Sequence, residues 1–185
     1  MTTTLAPPRA TLADLARVDG KAELVGGRVV TLMPTGHRPG VIALRIGRRL
    51  DEHAESHGGF AYGDNVGFAV PELSTGRQSF SPDAAYRVGS APVSEMRFVP
   101  GPPDFAVEVR SEGDYGPTAE RELAAKRAEY FEAGTVVVWD VDPVAGEVRR
   151  YRDGETAATV FGAGSEADAE PAVPGWRVSV DWLLR

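Results

Sequence analysis

Cysteine is missing from all 185 residues, which excludes disulfides and every thiolate metal site and fits a cytoplasmic location. Long apolar runs are missing too. None approaches the roughly 18 residues that a membrane span needs, so no membrane partner is expected. The first residues, Met1-Thr2-Thr3-Thr4-Leu5-Ala6-Pro7-Pro8, hold neither a basic cluster nor an apolar segment. They read as a flexible tail over residues 1–10 rather than a secretory signal. Positive charge is in short supply: 20 Lys and Arg against 27 Asp and Glu leave a net charge of −7. Nonspecific nucleic-acid affinity comes from basic side chains neutralising phosphates, so a broad electrostatic grip on a duplex is not expected. Two clusters, Arg45, Arg48, Arg49 and Arg149, Arg150, Arg152, leave room for a local basic rim.

With 42% hydrophobic and 25% charged residues, the remainder reads as one globular domain over residues 11–185. Thr11 suits the N-cap of a short helix over residues 12–18. Residues 21–25 and 28–32 flank Gly26-Gly27 as an N-terminal β-hairpin. An apolar stripe through Val41, Ile42, Leu44, Ile46 and Leu50 predicts a helix over residues 38–56, stopped by Gly58-Gly59. Residues 60–70 read as a strand or bent hairpin, 71–77 as a loop, and 78–88 as one strand carrying Asp83. After a proline-bearing connection, residues 105–110 form a strong strand. Pro117 opens a helix that Gly134 closes. The nearly all-apolar residues 135–141 suit a central strand covered on both faces. It turns into a C-terminal hairpin at residues 147–152, a weaker strand follows at 157–161, a loop at 162–174, and a closing helix at 180–184. The order predicts an α/β fold with a mixed β-sheet flanked by helices.

Two strands carry embedded carboxylates. Alternation puts Asp104, Ala106, Glu108 and Arg110 on one face of residues 103–110 and Phe105, Val107 and Val109 on the other. Asp83, Ala85 and Arg87 share a face of their strand. A carboxylate in an apolar strand is costly unless paired, hydrogen-bonded or bound to a cation. On the helix from Pro117, Ala119, Leu123, Lys126 and Tyr130 fall on one side, while Arg121, Glu122, Glu129 and Glu132 fall off it. A lysine aimed at the sheet needs an anionic partner, and Asp83 and Glu108 are the candidates. Two hard oxygen donors with open positions suit Mg²⁺, with Mn²⁺ as a substitute. The same cluster is also compatible with a plain ion-pair network.

The motifs occur in a recognisable order: Glu23-Leu24-Val25-Gly26-Gly27-Arg28, Met33-Pro34 and His37, then Ser81-Pro82-Asp83. Pro103-Asp104-Phe105-Ala106-Val107-Glu108-Val109-Arg110-Ser111, Lys126 with Tyr130, and Val138-Trp139-Asp140-Val141-Asp142-Pro143 complete it. The set resembles the Uma-type putative restriction endonuclease family of the PD-(D/E)XK nuclease superfamily, over residues 12–184. The resemblance implies a restriction-endonuclease-like core, Mg²⁺-dependent hydrolysis of DNA phosphodiesters, and homodimers. It implies that Asp83 and Glu108 are metal ligands, that Lys126 is the catalytic lysine, that Glu23 is an additional carboxylate at the site, and that His37 and Arg110 lie near it. The superfamily places its lysine two residues after the glutamate. Here that position is Arg110, which stays protonated and cannot act as a base, and Lys126 on the following helix takes the role. Ser111-Glu112-Gly113-Asp114 departs from the Ser-Pro that commonly follows in the family. Against this endonuclease reading stands a catalytically inactive nuclease fold serving as a binding or assembly module.

Overall fold

Thr11 opens the first element as expected. Its hydroxyl accepts from the Asp14 N–H while the Asp14 carboxylate accepts from the Thr11 N–H at 2.9 Å, a capping box. In the computed structural model, which describes residues 9–92, 94, 96–155 and 157–185, helix α1 spans only Leu12–Leu15. The tail expected over residues 1–10 lies outside the described residues except for Arg9 and Ala10. Strands β1 (Ala22–Val25) and β2 (Arg28–Thr31) form the expected hairpin. Gly26 and Gly27 both have positive φ, 58° and 71°, as a two-residue turn of matching twist requires. Helix α2 (His37–His57) buries Ile42, Ala43, Ile46 and Leu50.

Strands β3 (Phe60–Tyr62) and β4 (Phe68–Ala69) follow. The single strand expected over residues 78–88 is two: β5 (Ser79–Phe80) and β6 (Ala84–Arg87), which belong to different sheets. The break falls at Ser81-Pro82-Asp83. Pro82 has no N–H for a ladder, and the chain changes sheets there. The connection expected over residues 89–101 contains a short strand, β7 (Val99–Pro100), parallel to β4. Then come β8 (Phe105–Val109), α3 (Pro117–Ala133), β9 (Val137–Asp142), β10 (Glu147–Arg152) and β11 (Thr159–Phe161). The chain ends with β12 (Glu166–Asp168), β13 (Arg177–Ser179) and α4 (Val180–Leu184).

Among the described residues the main sheet runs β11-β10-β9-β8-β6-β3. The β8–β9 pair is parallel and its other pairs are antiparallel, so the sheet is mixed. Helix α3 connects the two parallel neighbours. All six residues of β9 are buried, as expected for a strand covered on both faces. Alternation in β8 sorts the two cores. Phe105 and Val107 pack with Ile46, Leu50, Trp139 and Trp176 on the α2 side. Ala106 packs with Phe68, Phe80, Tyr130 and Val138 on the α3 side. Glu108 shares the face of Ala106 and therefore points toward α3.

Residues 162–174, expected as a loop, contain β12, which pairs with β13. The segment also buries Ala167, Ala169, Ala172 and Val173. These small residues carry little strand signal of their own. They are held from outside: the Trp139 indole N–H donates to the Asp168 carbonyl at 3.0 Å, and Arg150 pairs with the Asp168 carboxylate. Trp139 and Trp176 lie in the core, while Trp182 on α4 is half-buried with the Arg45, Arg49 and Arg185 guanidinium groups over its ring.

Candidate active site

The break between β5 and β6 places Asp83. Its backbone N–H donates to the Val107 carbonyl at 2.9 Å, and antiparallel pairing of Ala84 with Val107 sets Asp83 beside Glu108. The Asp83 carboxylate accepts from the Val109 N–H at 2.8 Å through Oδ2 and from Lys21 Nζ at 2.7 Å through Oδ1. Proline before it and carboxylate–backbone pairing after it fix this side chain at the sheet surface. The two carboxylates expected to converge do so.

Lys126 arrives on the inward side of α3, with Leu123 and Tyr130, as the helical spacing predicts. Its Nζ lies 2.8 Å from Glu108 Oε1 and 3.2 Å from Glu23 Oε1. The expected link from Lys126 to Asp83 is replaced: Lys21, which the sequence did not single out, takes Asp83. Tyr130 donates to Glu108 Oε1 at 2.7 Å and stacks on Phe80 with ring centroids 4.1 Å apart. Both contacts fall on Oε1, and among the described residues no donor engages Oε2 of Glu108.

Burial, together with the Asp83 and Glu23 carboxylates, pushes the Glu108 carboxyl above its ordinary range, against the pull of Lys126. Burial opposes charge on Lys126, but Glu108 and Glu23 outweigh it and raise its pKa. The same contest at Lys21 is won by Asp83 and Asp64, again upward. Both lysines are therefore ammonium ions at neutral pH. Burial and the neighbouring Glu108 hold the Tyr130 phenol well above its usual value.

Glu23 is buried beneath the site and fully engaged. It accepts from the Ser81 N–H at 2.9 Å and from Arg77 Nη1 at 2.5 Å, besides Lys126. Burial works against its charge, yet Lys126, Arg77 and the Ser81 N–H bring its pKa below the ordinary value. With its oxygens engaged by these donors, Glu23 serves as an anchor for Lys126. Arg77 reaches onward to Glu129 at 2.6 Å, and Thr75 donates to the same carboxylate at 2.6 Å. Glu129, expected off the inward stripe of α3, is buried because residues 71–77 fold over it.

Arg110 is aimed away from the cleft chemistry. Its guanidinium grips Asp140 at 2.7 Å through both Nε and Nη2, and it pairs with Glu120 on α3. The hydrogen bonds to Asp140 lead the causes that raise its pKa. This fork fastens the helix carrying Lys126 to β9. His37 is exposed on the first turn of α2 and is not part of the cleft lining. The residues missed by sequence reasoning, Lys21, Arg77 and the hydroxyl of Tyr130, act through contacts distant in sequence that periodicity does not reveal.

Asp83, Glu108 and Lys126 line a cleft of about 1160 Å³, walled on one side by β2. Among the described residues no three His, Cys, Asp or Glu side chains converge as a closed metal cage. Mg²⁺ does not need one: it commonly takes one or two carboxylates and fills its other positions with water and phosphate oxygens. Paired carboxylates at the floor of a roomy cleft, with Oε2 of Glu108 unengaged, fit such an ion.

A mixed sheet flanked by α2 and α3, with Glu108 on β8 and Asp83 at the break just before the neighbouring β6, defines a nuclease-type α/β fold. The fold is similar to that of a solved putative nuclease belonging to DUF820 from Anabaena variabilis ATCC 29413, with a TM-score of 0.73 and 18% identity. The similarity covers 94% of this chain and 97% of that one. The chain belongs to the Uma2 family, described as putative restriction endonucleases, whose profile matches residues 10–181. No curated protein matches the chain. Among the described residues no helix is long and apolar enough to cross a membrane.

Proposed function

We propose that the chain is a Mg²⁺-dependent endonuclease that hydrolyses DNA phosphodiester bonds at Asp83, Glu108 and Lys126. The observation that carries this reading is the junction of a carboxylate on β8, a carboxylate at the break just before β6 and a helix-borne lysine in one open cleft. Asp83 and Glu108 would hold the ion, with the Val109 carbonyl as a further oxygen donor. A bound Mg²⁺ supplies Lewis acidity to the phosphodiester and to water. Lys126, an ammonium ion paired with the Glu108 and Glu23 carboxylates, orients the attacking water and offers positive charge where it develops on phosphorus oxygens. Glu23 and Tyr130 keep Lys126 and Glu108 from turning. Arg110 holds α3 in place and takes no part in proton transfer.

The same reading carries a homodimeric, cytoplasmic protein in which residues 11–185 act as one domain. Its test is cleavage of a DNA plasmid in Mg²⁺ or Mn²⁺, with Glu108→Ala as the control. Loss of cleavage in that variant supports the assignment, and undiminished cleavage refutes it. The net charge of −7 favours a second reading, a non-catalytic module whose acidic surface meets a protein. That module would cut no nucleic acid and have no need of a divalent ion at Asp83.

A further inference from the structure

Each carboxylate on the floor of the cleft has a lysine of its own. Lys126 covers Glu108 and belongs to the mechanism above. Lys21, just before β1, covers Asp83 and has no role there. Its Nζ sits 2.7 Å from Asp83 Oδ1 and 2.7 Å from Asp64 Oδ1. Because the Val109 N–H occupies Oδ2, Oδ1 is the oxygen a divalent ion would take, and an ammonium group already stands on it. A dication and an ammonium on one oxygen repel strongly in a partly buried site. They are alternatives.

The structure also gives Lys21 somewhere to go. Asp64 lies at the rim, 47% exposed against 17% for Asp83. Its Oδ1 is steadied by the Asn65 N–H at 2.8 Å. Behind Lys21 is Gly20, at φ +93° with nothing within 4 Å of where a side chain would begin. Only glycine adopts that backbone readily; the Lys21 carbonyl accepts from the Leu32 N–H at 2.9 Å, so a shift between the two carboxylates is made by the lysine side chain.

We propose that Lys21 is a displaceable positioning residue: it neutralises Asp83 while no divalent ion is bound and hands over wholly to Asp64 when one binds. The inference rests on the reading of Asp83 as a metal ligand. It gives the resting protein a stable site without metal, and it makes cation affinity depend on a residue that need not touch the ion. Lys21 is thereby a competitor of the metal and Asp64 its acceptor.

Calorimetric titration of Mn²⁺ into the full chain, without nucleic acid, tests this in four proteins: wild type, Lys21→Met, Asp64→Asn and the double variant. Thermal melts confirm that each is folded, and Lys21→Gln replaces Lys21→Met if the latter is not. Lys21→Met should bind Mn²⁺ about tenfold more tightly, a free-energy step on the scale of one partly buried charge contact. Asp64→Asn should weaken binding in the wild-type background and change it little once Lys21 is gone. Affinity in Lys21→Met equal to or below wild type overturns the proposal while leaving the metal site standing. An Asp64→Asn effect of the same size in both backgrounds also overturns it, because plain through-space attraction does not depend on Lys21. Absence of Mn²⁺ binding in wild type and Lys21→Met alike refutes the metal-site reading, and this inference with it.

Discussion

Replacing Arg77 by methionine separates the buried scaffold of the site from its chemistry. Arg77 bridges Glu23 at 2.5 Å and Glu129 at 2.6 Å, and all three side chains are at most 10% exposed. Methionine keeps the apolar stem and removes the charge, stranding two buried carboxylates. Breaking a buried ion pair from one side costs about 3–5 kcal/mol. Two features of the structure limit the loss. Glu23 keeps the Ser81 N–H and Lys126, and Glu129 keeps the Thr75 hydroxyl. The expected loss is therefore about 3–5 kcal/mol in all. For a chain of this length, that lowers Tm by about 6–20 °C. Urea unfolding followed by circular dichroism measures it. Adding Glu129→Gln should recover more than about 1 kcal/mol, since the two groups are coupled. An Arg77→Met protein within about 1 kcal/mol of wild type would refute the view that this guanidinium holds the floor of the site.

Tyr130→Phe keeps the stack on Phe80 and removes only the hydroxyl on Glu108; it should lose about 1 kcal/mol of stability and a larger share of any cleavage rate, seen as a fall in kcat. Glu23→Gln should flatten the acid limb of the stability curve. The folded pKa of Glu23 lies below the ordinary 4.5, so its contribution is present above that value and is lost as pH falls through the folded pKa. Melts in the wild type and variant below pH 4.5 would show the variant less pH-sensitive, and equal slopes would contradict the assignment. Arg110→Lys cannot reproduce the planar fork on Asp140. It should destabilise the fold by about 2 kcal/mol or more and should not restore cleavage to a Lys126→Met protein.

Strand β8 and helix α3 were legible because their information is local. Period-two alternation put Glu108 opposite Phe105 and Val107, and period-3.6 spacing put Lys126 with Leu123 and Tyr130. Both placements hold, and the second brings Lys126 to Glu108. Asp83 was legible as a residue and not as a conformation. The strand expected over residues 78–88 breaks beside it, and Pro82 was the available sign. Lys21, Arg77 and Glu129 were not legible. Their partners lie across the fold, and a loop over residues 71–77 that packs down on α3 has no period to betray it. The β12–β13 pair was missed for a different reason: alanines and acids make a weak strand on their own, and Trp139 and Arg150 hold this one in place.

The central claim is that Asp83 and Glu108 bind one divalent ion within reach of Lys126. A crystal soaked in Mn²⁺ and measured at the manganese absorption edge tests it most directly. The account predicts an anomalous peak at coordination distance from Asp83 Oδ1 and Glu108 Oε2, with Lys126 still on Glu108 Oε1. A fully soaked crystal with no peak between those carboxylates, or with manganese held elsewhere in the cleft, would contradict it.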